Sequence, residues 1–213
     1  MTICFGASGL PAHIFMPDLI HQVSTAYPDI RISLEVKTAP EIEKKVALQE
    51  LDFGLIMETQ QENPFLHYET IGEDALVLAF SPSHELATKQ DITKEDILKN
   101  KLLLHTSSSS TNHFIEKWMD PFQPSTYTIE LDSVSTIKKM LTFGKNMAFL
   151  SIALIEEELT SGVLMKKDLD DVTLHRKIQL IYPKTRLDHT LDEFVKTSVY
   201  DVAKQLKMSP VMT

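Results

Sequence analysis

Hydrophobic periodicity alternates between strand and helix through the first 57 residues, and this constrains the fold more than any other feature. Ile3-Cys-Phe-Gly-Ala7 is a short apolar run ending in Ser8-Gly9-Leu10-Pro11, a strand entering a tight loop. Pro11 suits the first turn of a helix, where its missing N–H costs nothing. Ile14, Phe15, Leu19, Val23 and Tyr27 then recur at helical spacing until Pro28 ends the run. Ile30, Ile32, Leu34 and Val36 alternate with polar residues, as in a strand with one buried face. Pro40 opens a short helix holding Ile42, Val46 and Leu48, and Phe53-Gly-Leu-Ile-Met57 is the next strand. A β-α-β-α-β order calls for a parallel sheet with crossover helices on its faces.

The rest of the chain repeats this logic. Leu66–Ile71 and Ala75–Phe80 read as strands separated by Gly72-Glu-Asp74, and Asp91–Lys99 as a short helix. Lys101–His105 is a strand leading into the polar stretch Thr106–Thr111. Helix spacing resumes at Phe114, Ile115, Trp118 and Met119. Tyr127, Ile129 and Leu131 alternate as a strand, and Ser133 is an N-cap for a helix with Val134, Ile137, Met140 and Leu141. Gly144-Lys-Asn146 closes that helix, Gly or Asn suiting the left-handed position. Met147–Leu150 is a strand, and Ile152, Ile155 and Leu159 form a helix closed by Gly162. Val163–Met165 and Lys177–Tyr182 are strands. The last helix carries Leu191, Phe194, Val195, Val199, Val202 and Leu206 on its apolar side, with Asp188 or Thr190 as its cap. Two successive α/β units without a linker predict two lobes joined by crossing strands. Glu69–Phe80 is the outward crossing and Arg176–Lys184 the return. The expected division is 1–75 plus 183–213 for the first lobe and 76–182 for the second.

Composition removes whole classes of function. Cys4 is the only cysteine, so no internal disulfide framework or multi-cysteine zinc site is available. The 21 Lys+Arg against 30 Asp+Glu give a net charge of −9, which argues against phosphate binding by clustered cations. The longest apolar runs, such as Ala75–Phe80, are far short of the roughly 20 residues of a membrane span. Gly6-Ala-Ser8-Gly9 lacks the second glycine of a nucleophile elbow, since Leu10 stands there. Gly144-Lys145 lacks the earlier glycine and following hydroxyl of a phosphate loop. The eight histidines show no metalloenzyme spacing. The reading is a cytoplasmic-type protein that is not an enzyme and uses no cofactor or metal. What remains is a set of polar loops between a strand end and a helix start: Ser8-Gly9-Leu10, Thr106–Asn112 and Asp132-Ser133. Helix starts present unpaired N–H groups and partial positive charge, so they suit small anions. In open α/β sheets, ligands bind beyond the carboxyl ends of the strands.

The order of segments resembles a known family. Ile3–Ala7 with its polar loop, Pro17-Asp-Leu and Tyr27-Pro-Asp-Ile resemble the opening of the effector-binding domain of LysR-type transcriptional regulators. Leu51-Asp-Phe-Gly-Leu-Ile56, Leu76-Val-Leu-Ala-Phe-Ser-Pro-Ser-His-Glu-Leu-Ala87, and Ser133-Val-Ser-Thr-Ile-Lys-Lys with Phe143-Gly-Lys-Asn-Met-Ala-Phe-Leu150 match its later motifs. Arg176-Lys-Ile-Gln-Leu-Ile-Tyr-Pro-Lys resembles its returning strand. The chain departs in having Asn146 where the family usually has a second glycine, and Ser151 where it often has proline. The resemblance implies two Rossmann-like lobes of the type 2 periplasmic-binding-protein kind, with a small polar metabolite or anion as effector in the interlobe cleft. It places effector contacts at Ser8, Gly9 and Leu10, at Ser107, Ser108, Ser109 and Thr111, and at Ser133 and Val134, with Asn146 and Ala148 as additions. It implies a homodimer, or a tetramer in the full-length protein, whose geometry the effector shifts. DNA contact would come only through an N-terminal winged helix-turn-helix domain that this sequence lacks. A transport solute-binding protein shares the fold and is the alternative; a lyase of the prephenate dehydratase kind lacks its Thr-Arg-aromatic signature, because Leu187 follows Thr185-Arg186.

Overall fold

The computed structural model describes residues 2–105, 110–119, 128–167, 175–185 and 190–206. The chain forms two compact units, Met1–Asp74 with Arg176–Thr213, and Ala75–His175. The first contributes β1 (Thr2–Ala7), α1 (Gly9–Ile14), α2 (Met16–Ala26), β2 (Arg31–Val36), α3 (Ala39–Ala47), β3 (Phe53–Met57) and the opening of β4 (Leu66–Phe80). The second holds the remainder of β4, then α4 (Lys94–Leu98), β5 (Lys101–His105), α5 (Ser110–Met119), β6 (Thr128–Leu131), α6 (Val134–Leu141), β7 (Asn146–Ser151), α7 (Ile152–Thr160) and β8 (Met165–Lys167). The chain returns along β9 (His175–Pro183) and ends in α8 (Thr190–Gln205).

In the first unit β1 pairs in parallel with β2, from Thr2 opposite Arg31 to Ala7 opposite Val36, and with β3, where Gly6 faces Gly54. β9 runs antiparallel to β3, with Gly54 opposite Ile181 and Met57 opposite Ile178. That pairing places residues 178–181 in the first unit, whereas the sequence division at 183 assigns them to the second lobe. The partner strand lies more than 120 residues away, so local patterning carries no trace of it. Gly6 and Gly54 form a trough beneath α3: a Cβ at Gly54 would lie 2.6 Å from Ile181 Cγ1 and 2.8 Å from Ile42 Cγ2. Ile42, Val46, Leu51, Ile56 and Ile181 make the core on that face. α2 packs on α8, where the Tyr27 and Phe194 rings meet edge to face at 5.2 Å.

The single helix expected from Pro11 to Tyr27 is two, α1 and α2, with Phe15 between them. Pro17 has no N–H to donate to the preceding turn and its ring crowds that turn, so the helix restarts there. The expected break at Gly72-Glu-Asp74 is absent, and β4 runs unbroken for 15 residues.

In the second unit β4 pairs antiparallel with β7 and β8, while β5 runs parallel to both β7 and β6. Period-two alternation splits the apolar residues between two faces. Leu76, Leu78, Phe80, Leu102, Met147 and Phe149 meet Leu86, Ile97 and Ile115 on one side. Val77, Ala79, Leu103, Ala148 and Leu150 meet Ile137, Leu141 and Ile155 on the other. α4 begins at Lys94, later than the expected Asp91, because Thr93 and Asp96 form a capping box that sets its start. β8 covers Met165–Lys167, two residues beyond the expected Val163–Met165.

Candidate functional site

In the first unit the candidate loop follows β1. Ser8 occupies the N-cap position of α1 with extended backbone, yet its hydroxyl does not cap the helix. Its N–H donates to the Leu55 carbonyl at 2.9 Å, and its Oγ accepts from the Met57 N–H at 3.0 Å. Ser8 thereby fastens the exit of β1 to the end of β3 and retains its hydroxyl proton as a donor. Gly9 is exposed, with no described atom within 4 Å of where a Cβ would sit. Leu10 has its side chain in the core and offers a ligand only its main chain.

Thr38, at the carboxyl end of the neighbouring β2, was not singled out from sequence, although Thr38-x-x-Glu41 is a capping-box pattern. Its N–H and hydroxyl both donate to Glu41 Oε2, at 3.0 and 2.7 Å. Those bonds hold the Glu41 carboxyl below its ordinary range. The Lys37 N–H donates to the Ala7 carbonyl at 3.2 Å, so this turn adjoins the Ser8 loop. Thr59, just past β3, donates to Glu43 Oε1 at 2.8 Å, and the Tyr68 hydroxyl donates to the same oxygen at 2.6 Å. Burial, then the bond to this carboxylate, raises the Tyr68 phenol well above its ordinary range.

In the second unit β5 and β6 are parallel and in register, His105 opposite Leu131, so the chain leaves both at one edge of the sheet. Ser133 caps α6 as expected: its Oγ accepts from the Thr136 N–H at 3.3 Å and lies 2.8 Å from Ser135 Oγ. Val134 is half-buried in the first turn of α6, and Thr111 is half-buried in the first turn of α5. Asn112, 1% exposed, donates from Nδ2 to the His105 carbonyl and ties the start of α5 to the end of β5. Ser107, Ser108 and Ser109 lie outside the described residues.

Asn146 and Ala148 do not join this group. Asn146 pairs with Lys101, the first residue of β5, four steps from His105 and so about 13 Å toward the opposite edge at roughly 3.3 Å per residue. Its Nδ2 donates to the Met140 carbonyl at 3.2 Å. The left-handed position that ends α6 belongs to Gly144 (φ +75°), while Asn146 opens β7. Ala148 is 1% exposed and packs in the core beneath α6. The second unit therefore groups Thr111, Ser133 and Val134 at one edge, and the first unit presents Ser8, Gly9 and Leu10 beyond the matching ends of its parallel strands. Among the described residues no cluster of three or more His, Cys, Asp or Glu could hold a metal, and no helix is long and apolar enough to cross a membrane.

In each unit, helix starts lie beyond the carboxyl ends of parallel strands, the arrangement by which ligand-binding domains of the open α/β class hold their ligands. The chain belongs to the LysR family, since the model of the LysR substrate binding domain matches residues 1–199. A probable RuBisCO transcriptional regulator from Emiliania huxleyi is 31% identical over 205 residues, covering 92% of this chain and 64% of that protein. The chain thus spans less than two thirds of that relative's length. The regulatory domain of CcmR from Synechocystis PCC6803, solved in complex with 2-PG, superposes with a TM-score of 0.83 at 19% identity, covering 96% of this chain and 98% of that one. The effector binding domain of QuiR, solved with shikimate, gives a TM-score of 0.78 at 14% identity, covering 96% and 98%. These likenesses show the type 2 periplasmic-binding-protein-like fold that the family resemblance implied.

Proposed function

We propose that this chain is the effector-sensing part of a LysR-type transcription regulator and that its effector is a small organic anion held at the helix starts. The observation that carries this reading is the shared edge of Thr111 and Ser133, inside a chain of this family. Hydroxyl donors and helix N-termini recognise a carboxylate or phosphate without arginine, and the sequence has only three arginines. The 2-PG and shikimate bound by the two structural neighbours are anions of this kind. The effector acts by binding one arrangement of the regulator more tightly than another, since equal affinity would shift nothing. In this reading the protein works in the cytoplasm as a homodimer, meets DNA through a separate domain, and is a sensor rather than an enzyme.

Calorimetric titration with 2-PG and shikimate tests the site. Wild type binds one of them, and Ser133→Ala weakens that binding by about tenfold, the loss of one hydrogen bond to a charged group. A ligand bound equally by wild type, Ser133→Ala and Thr111→Val would refute the placement.

A further inference from the structure

A hydrogen-bonded linkage leads from the Ser8 loop to both strands on which the chain crosses between units, and every joint in it lies within the first unit. The first joint is Ser8, whose N–H and Oγ engage Leu55 and Met57. The second is unusual. Beyond the Met57–Ile178 pair, the antiparallel pattern makes Glu58 and Lys177 the next opposed residues. The Glu58 N–H donates to the Lys177 carbonyl at 2.9 Å, as an ordinary ladder requires. The return bond does not go to the Glu58 carbonyl. The Lys177 N–H donates instead to the Glu58 side chain, to Oε1 at 3.1 Å. A carboxylate replaces the main-chain acceptor, which lets the backbone turn away toward Thr59 while β9 stays fastened. The third joint is adjacent: Arg176, the first residue of the first unit on β9, is paired at 2.5 Å with Asp74, its last residue on β4.

We propose that Glu58 is a positioning residue that couples the Ser8 loop to β9 at the chain's point of return. The proposal rests on the reading of the Ser8 loop as part of the effector site and names how occupancy there reaches the crossing strands. A side-chain acceptor suits this task. It can release Lys177 without breaking the Glu58 N–H bond, so the last rung of the β3–β9 ladder opens as a separate, low-cost step. Coupling of this kind is reciprocal, so disturbance at either joint must be felt at the other.

Native-state amide hydrogen exchange, read residue by residue on this chain, tests the linkage without a ligand. Glu58→Ala is expected to speed exchange at Lys177 by tenfold or more and also to speed it at Met57, while Glu58→Gln, which keeps an acceptor oxygen, restores Lys177 protection. Ser8→Ala is expected to speed exchange at Met57 and, through the linkage, at Lys177. The Ile3 amide, in the β1–β2 pairing, serves as the control for global opening and stays unchanged in each. If each variant speeds only its own amide, the joints are independent and the proposal is overturned. If Ser8→Ala does not fold, the Met57 response to Glu58→Ala decides alone. Wild type with added 2-PG separates this proposal from the effector reading. Should 2-PG slow Met57 but leave Lys177 unaffected, the linkage fails. Should 2-PG protect neither while the variants still couple, the linkage stands and the effector reading for this probe fails.

Discussion

Asp74→Asn removes one member of an ion pair that the first unit keeps almost wholly from water. The Asp74 and Arg176 side chains are 2% and 4% exposed, and Asp74 Oδ2 lies 2.5 Å from Arg176 Nη2. An exposed pair would be worth at most about 1 kcal/mol. Here the guanidinium stays desolvated after the Asp74 charge is lost, and breaking a buried pair costs about 3–5 kcal/mol. In a chain of this size each kcal/mol moves the melting temperature by about 2–4 °C, so Asp74→Asn lowers Tm by about 6–20 °C. Replacing both charges, Asp74→Leu with Arg176→Met, removes the attraction and the desolvation together, and the double variant falls within about 1 kcal/mol of wild type. Melts followed by circular dichroism, on wild type, Asp74→Leu, Arg176→Met and the double, give the coupling directly. The reasoning fails if Asp74→Asn costs under about 1 kcal/mol, or if the double variant loses as much as the two singles added, because the pair would then behave as a solvated one.

Two further outcomes follow from buried groups. His84 is 3% exposed, its Nδ1 accepts the Leu86 N–H at 3.2 Å, and its ring lies 5.4 Å from Phe80. Burial lowers its pKa below 6.5, against a weaker upward pull from Glu85. The unfolded chain therefore takes up this proton at higher pH than the folded one, so His84 lowers stability as pH falls below about 6.5, by no more than about 1.4 kcal/mol per pH unit. His84→Asn keeps an acceptor at the cap and should flatten the slope of urea-measured stability between pH 7 and 5; an unchanged slope would assign it to other groups. Gly54→Ala forces a methyl into Ile181 and Ile42 and should cost about 1–3 kcal/mol, part of which Ile181→Val recovers by removing the Cδ1 that would lie 2.9 Å from that methyl. Urea midpoints measure both, and a neutral Gly54→Ala would show that the trough has slack.

Much of the fold was legible because its signals are local. The Pro11 turn, the alternation at Ile32 and Leu34, the Ser133 cap and the Gly162 stop each depend on residues within one or two turns of chain. The site was legible to a lesser degree. Ser133 does at α6 what its position announced, but Ser8 sits at a helix start and bonds instead to a strand end 49 residues away. Asn146 stands at a motif position where the family usually has glycine, and it faces the amino edge of β5 because parallel pairing fixes which end of β7 meets which end of its neighbour. Thr38 carries a readable capping box in a loop that holds no serine run or glycine.

The sequence by itself determined the alternation of strand and helix, the acidic and cysteine-poor character, and the hydroxyl-rich helix starts, since each is a property of neighbouring residues. Only the tertiary structure decided that β9 pairs with β3, that Gly6 and Gly54 lie side by side beneath Ile42, and that Asp74 meets Arg176. Those contacts join residues 12 to 127 positions apart. Their partners are selected by strand order and register, which depend on burying both faces of a sheet at once and leave no periodic mark in the chain.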